Sequence, residues 1–176
     1  MIFGQDYAID KKATMLSLMG SYTSSGGKLF EDANQNNVQT FTFTPSINHF
    51  VAKNFFIGGG FETSNQSQGG YSVKSFAIGP VIGYAFGKSD NTAFPYIDLG
   101  LRYYSSSSNT GYNNSVSAAG TDVFFDLGVI FPIKDHIGLT FEGGYQSLKL
   151  KMSDYSHVTK SGNIFSFSMG FVGLLF

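Results

Sequence analysis

The chain has no cysteine and no tryptophan among its 176 residues. Without cysteine, a disulfide framework, a thiolate metal site and a cysteine nucleophile are excluded. Charge is scarce too. Asp, Glu, Lys and Arg make up 13% of the chain, about half the usual share of a soluble domain. The net charge of −1 leaves no bulk electrostatic case for a nucleic-acid partner. No apolar run approaches the ~18 residues that mark a membrane-spanning helix. The opening stretch MIFGQDYAIDKK is not a secretory leader, because charges fall at Asp6, Asp10, Lys11 and Lys12 and no apolar segment follows. If the protein is exported, this is its mature form.

What is present is glycine, aromatic residues and alternation. Gly occurs 22 times and aromatics are 16% of the chain. The hydrophobic period is two almost throughout. Eight strands are predicted at about 13–22, 38–48, 54–64, 71–86, 94–104, 118–131, 137–149 and 162–176. Three connections are short: 49–54, 87–93 and 132–136. Four are longer or more polar: 23–37, 65–70, 105–117 and 151–161. That rhythm describes an up-and-down meander. No repeat, helical segment or domain boundary interrupts it.

The phase of the charges decides which face meets water. In strand six, Val123, Phe125, Leu127, Val129 and Phe131 oppose Asp122, Phe124, Asp126 and Gly128. In strand five, Ile97, Leu99, Leu101 and Tyr103 oppose Tyr96, Asp98, Gly100 and Arg102. Glu62, Asp98, Arg102, Asp122, Asp126 and Glu142 all fall on the small-residue face. A soluble barrel would carry charge outside. Here the apolar face is free of it over roughly ten residues, the height of a membrane β-strand. Lys74 breaks the phase near a long-connection end. The expected fold is all-β: a closed antiparallel up-and-down transmembrane β-barrel of eight strands. It spans 1–176 as one domain, with 1–12 as an extension and the barrel at about 13–176. Closure satisfies every backbone group, as lipid demands. The last stretch, FSFSMGFVGLLF, puts Phe165, Phe167, Met169 and Phe171 outside. Phe176 is then out of phase, so a bulge near Gly173 is expected to return Leu174 and Phe176 to the lipid side.

Three segments carry a resemblance. TPSINHFVAKNFFIGGGFETS (44–64), SFAIGPVIGYAFG (75–87) and FPYIDLGLRYY (94–104) resemble the strand and short-turn pairs of the small eight-stranded outer-membrane β-barrels of the OmpA/OmpX type. A final Phe on an alternating strand resembles that family's insertion signal, here Phe176 with Leu174. The resemblance implies a bacterial outer-membrane location and contact with outer-membrane lipid or detergent. It implies handling by the insertion machinery; because the sequence ends with the barrel, no periplasmic peptidoglycan-binding domain is expected. Without Trp, the interfacial girdles fall to Tyr71, Tyr84, Tyr103, Tyr145, Phe50, Phe86 and Phe94. A monomer without cofactor or metal is expected, with any surface ligand meeting loops 23–37, 105–117 and 150–161. Activity is expected to be non-enzymatic, structural or adhesive. The alternatives are a lipid-modifying enzyme or a very narrow pore.

Arg102 is the only arginine. It is expected to face Asp126 and Glu142, which the 132–136 turn places across from each other, in a lumen charge network with Glu62, Asp98 and Asp122. A salt-bridge plug is the expected role; a gate and a carboxylate-pair active site are the rivals, the latter short of room for sugar. IGGGF (57–61) precedes no helix and reads as tight barrel wall, not a phosphate cradle. His49, His136 and His157 fall far apart in or beside connections, which argues against a metal site. Ser156 or Thr159 beside His157 would be needed for a hydrolase. Asn65 and Asn113 head glycosylation sequons without evident consequence. Pro45 and Pro80 lie inside strands that have no free edge, so a bulge or a missing ladder bond is expected at each.

Overall fold

The computed structural model describes residues 9, 11–25, 33–87, 92–109, 115–134, 136–153 and 159–175. Eight strands follow one another in ring order: β1 (Thr14–Ser25), β2 (Val38–Ala52), β3 (Phe55–Gln68), β4 (Tyr71–Ala85), β5 (Phe94–Asn109), β6 (Ser115–Lys134), β7 (Ile137–Met152) and β8 (Thr159–Leu175). Each pairs antiparallel with its neighbours, and β1 meets β8 to close the barrel. Alternation places the two faces as the sequence requires. Leu99, Leu101, Val123, Phe125, Leu127, Phe141 and Phe171 are exposed on the outside. Tyr96, Asp98, Arg102, Asp122 and Phe124 are buried inside.

The strands run longer than expected at the long-connection end. β3 and β4 pair out to Gln68↔Tyr71, so Gly69 and Gly70 alone make the turn, with Gly69 at φ 56°. Ser105–Asn109 pair with Ala119–Ser115, inside the segment expected to be a loop. Lys151 pairs with Thr159. The remaining parts of the expected loops, 26–32, 110–114 and 154–158, lie outside the described residues. Polar composition in Ser105–Asn109 marks a strand leaving the apolar layer rather than a strand ending.

Both prolines interrupt a ladder without shifting it. β2–β3 pairing passes from Phe43↔Thr63 to Ser46↔Gly60 across Pro45. β4–β5 pairing passes from Ile78↔Tyr103 to Val81↔Gly100 across Pro80. A proline has no N–H to donate, so the neighbouring rungs are lost. No bulge forms at either.

The short-turn end is filled by apolar side chains. Phe50, Phe56, Phe94, Tyr96, Ala85, Met15, Ile130, Val172 and Leu174 form one buried cluster, joined by Ile9 ahead of β1. Phe50 and Phe94 therefore belong to this plug and not to an outer girdle. Tyr71, Tyr84, Tyr103, Tyr145 and Phe86 do face outward. Each fully buried Phe contributes roughly 2–3 kcal/mol. Glycines make the room: a methyl at Gly83 would overlap the Phe56 ring, and one at Gly128 the Tyr96 ring.

Asn54 ties the rim together. It sits at φ 67°, a left-handed turn position that Asn tolerates. Its side-chain amide donates to Ala85 O at 2.6 Å and Gly87 O at 3.3 Å, and its backbone N–H donates to Ile9 O at 2.7 Å.

The end of β8 corrects the sequence reading. Pairing runs in unbroken register from Met169 through Gly173 against β7 and to Leu175 against β1. No bulge forms at Gly173. Leu174 is 3% exposed and points inward, while Leu175 takes the outer side. Two adjacent leucines satisfy either phase, so the pattern alone had no means of choosing. Phe176 lies outside the described residues.

Candidate functional site in the barrel interior

Above the plug the interior holds two charge clusters. In the first, Arg102 and Asp122 stand directly opposite on β5 and β6. Arg102 donates from Nε at 2.8 Å and Nη2 at 2.5 Å to the same Asp122 oxygen, and from Nη1 at 3.2 Å to Glu62 Oε2. Glu62 lies on β3, two strands away. The intervening β4 presents Ala77 and Gly79 beside these two residues, and their small size clears the path. Gln146 Nε2 donates to the same Glu62 oxygen at 3.1 Å. The guanidinium also lies 4.3 Å from the centroid of the Phe124 ring, a cation–π contact. Asp122 is fully buried, so this pair is a charge-assisted bond shielded from water.

The second cluster is acidic. Asp98 and Asp126 stand directly opposite on β5 and β6. With Glu142 they bring three carboxylate oxygens within 4.8 Å of one another. Tyr96 Oη donates to Glu142 Oε2 at 2.6 Å and lies 3.2 Å from Thr140 Oγ1. Asp98 Oδ1 is buried without a hydrogen-bond partner. Among the described residues no ion pair reaches these three groups.

This arrangement differs from the expected one in its partners. Arg102 is bonded to Asp122 and Glu62, not to Asp126 and Glu142. Asp126 pairs with Gly144 and Glu142 with Gly128, so the two acids are not directly across from each other. The β6–β7 connection closes at Lys134↔Ile137, further along the chain than the expected centre, and with a one-residue irregularity between Pro132 and Lys134 the ladder sets Asp126 against Gly144, two residues from Glu142. Gln146, Thr140 and Phe124 complete the interior. Their inward phase was readable, but their bonding depends on that register.

Toward the long-connection end the lumen opens into a cavity of about 210 Å³. Its wall is rich in hydroxyls, among them Ser21, Thr42, Ser64, Ser75, Ser166 and Ser168, with Glu62, Asp126 and Glu142 at its floor.

The histidines do not converge. His49 stands on the outer face of β2, not in a connection, with Nδ1 3.1 Å from Thr14 Oγ1. The Thr14 hydroxyl is the partner of this ring, and among the described residues no carboxylate bonds it. His136 Nδ1 lies 2.9 Å from Leu174 O. Ser156, His157 and Asn113 lie outside the described residues.

No protein-family model and no curated protein matches this sequence. Solved structures do match its shape. Neisserial surface protein A aligns with a TM-score of 0.66 at 13% identity, over 92% of this chain and 96% of that one. The outer membrane protein OprG from Pseudomonas aeruginosa aligns with a TM-score of 0.65 at 12% identity, over 96% and 98%. The N-terminal β-barrel domain of Pseudomonas aeruginosa OprF gives 0.58 at 11% identity, over 94% and 98%. At such identities the likeness is one of fold. This chain has the fold of the small outer-membrane β-barrels.

Proposed function

We propose that this chain is an integral outer-membrane protein of a Gram-negative bacterium, non-enzymatic and non-conducting, that works at the cell surface through its long-connection end. The observation that carries this reading is the asymmetry of the lumen. An aromatic plug and the Arg102–Asp122–Glu62 bonds fill the short-turn half, and the polar cavity lies beyond them. A barrel filled in this way offers no through path for ions. The surface ligand would meet segments 23–37, 105–117 and 150–161, and the final strand with Phe176 would be read by the insertion machinery. The outer-membrane proteins of similar fold support the location, and Neisserial surface protein A carries a surface role in its name.

Two measurements test this. Planar-bilayer recordings are expected to show only small, rare events; a large steady open state would sink the filled-lumen reading. Protease added to intact cells is expected to cut within 23–37 and 105–117 and to spare 87–93. Cutting at 87–93 alone would place the plug outside and refute the surface role.

A further inference from the structure

Among the described residues the ring is not closed over its full height. Pairing between β1 and β8 runs from Thr14↔Leu175 to Gly20↔Met169 and stops. Yet β1 continues to Ser25 against β2, and β8 starts at Thr159 against β7. Among the described residues, Ser21–Ser25 and Ile164–Ser168 therefore have a partner strand on one side only. The side chains report the same gap. Phe165 is 78% exposed and Phe167 85%, more than any other large hydrophobic residue on the outer wall, because no β1 neighbour covers them.

Two cavities meet at this gap. The polar lumen cavity of about 210 Å³ has Gly20, Ser21 and Ser168 in its wall. A second cavity, of about 300 Å³, lies at the outer wall and has the same three residues, together with Phe141, Phe167 and Met169. One set of small residues is thus a common wall between a hydroxyl-rich interior and an apolar exterior. Hydrocarbon offers an unpaired strand edge no hydrogen bonds, so an edge left open within the barrel wall must find polar partners.

We infer that the upper β1–β8 seam is a side portal that admits the headgroup of a cationic single-chain amphiphile from the bilayer, its chain remaining outside against Phe167 and Met169. The head's charge follows from the cavity floor. Glu62, Asp126 and Glu142 line it, and the single guanidinium there is already committed to Asp122 and Glu62. Carboxylates that converge this closely resist ionising together until a cation joins them, which selects a positive head. The head's hydrogen-bonding groups and lumen water would serve the unpaired edge. This portal goes beyond the surface role proposed above and does not depend on it.

The chain's lack of Trp and Cys gives a clean background for the test. Tyr104→Trp places a single fluorophore on the lumen cavity wall, and Tyr103→Trp places one on the outer face as a control. Ser21→Cys with Ser168→Cys allows the seam to be locked by oxidation, or by a short bis-thiol reagent if the disulfide geometry is not met. The probe is an alkyl-trimethylammonium brominated next to its head, added to folded protein in phospholipid vesicles. With the seam reduced, saturable quenching of the lumen fluorophore is expected. Locking should cut that quenching severalfold and reduction should restore it, while the Tyr103→Trp control stays quenched throughout. A brominated alkyl sulfate should quench the lumen fluorophore severalfold less than the cationic probe. Lumen quenching that is absent, or unchanged by a verified lock, overturns the portal. Equal quenching by the two head types overturns the assignment of a cationic ligand.

Discussion

The two halves of this barrel share strands but not a way of holding together. At the short-turn end every strand pairs with both neighbours and the interior is a packed aromatic plug with Phe56 fully buried. At the long-connection end the same strands extend further, yet one seam is unpaired and the interior is a polar cavity. The other ladders run on past the plug, as Ser105–Asn109 do against β6, so the lapse belongs to the β1–β8 boundary alone among the described residues. The difference teaches that the strand count fixes the architecture while the closing boundary decides how much of it is sealed.

The charge layer between the halves is the first place to break this contrast. Arg102→Leu leaves Asp122 and Glu62 uncompensated inside the barrel, and removing one partner of a buried pair costs about 3–5 kcal/mol. The urea midpoint of the folded band in a heat-shift gel should fall clearly. The triple change Arg102→Leu, Asp122→Asn, Glu62→Gln should recover much of that loss. If single and triple variants unfold with the parent protein, the three groups are not coupled. Next comes the plug. Phe56→Ala opens a cavity beside Gly83 and Phe50 and should cost about 3 kcal/mol in the same assay. An effect below a third of that would mean the plug collapses around the gap and is not close-packed.

The acidic cluster has the opposite sign. Asp98, buried, and Asp126, half-buried, are two acidic groups directly opposite across a strand pair, an arrangement that disfavours the ionisation of both. Asp98→Asn should raise the urea midpoint at neutral pH, by up to about 1 kcal/mol. A lowered midpoint would show that all three carboxylates are needed as charges, with a bound cation holding them. Smallest is the seam. Phe167→Ala removes a ring that nothing on β1 covers, and stability should change by about 0.5 kcal/mol or less. A loss as large as that of Phe56→Ala would mean the seam is sealed and would erase the contrast between the halves.

Much of the barrel could be read from the sequence because two independent signals agreed. Alternation placed the strands, and the phase of Glu62, Asp98, Arg102, Asp122, Asp126 and Glu142 assigned the inner face. The ends of strands were harder. Ser105–Asn109 looked like loop because strand outside the apolar layer has no reason to alternate. Phe50 and Phe94 looked like girdle because an aromatic near a strand end suits either side of the wall. The partners of Arg102 were beyond reach for another reason. They depend on register, and the observed β6–β7 ladder sets Asp126 against Gly144, two residues from Glu142. The open seam leaves no mark in composition at all, since Ser21 and Ser168 would look the same in a closed wall.

The Asn54 contacts give the barrel a mechanical character. They stitch the β2–β3 turn to the β4–β5 turn and to the strand-leading segment at Ile9, while Lys12 and Ala13 bond Phe50 from the same side. That rim behaves as a hoop: squeezing it toward an ellipse would stretch hydrogen bonds in several turns at once. The far end of the β1–β8 boundary has no such hoop. Lateral pressure from the bilayer therefore acts on a clamp that is stiff at its fulcrum and compliant at its lips. Changes in membrane tension would be concentrated in the spacing between Tyr22 and Phe167 and hardly felt at Phe56.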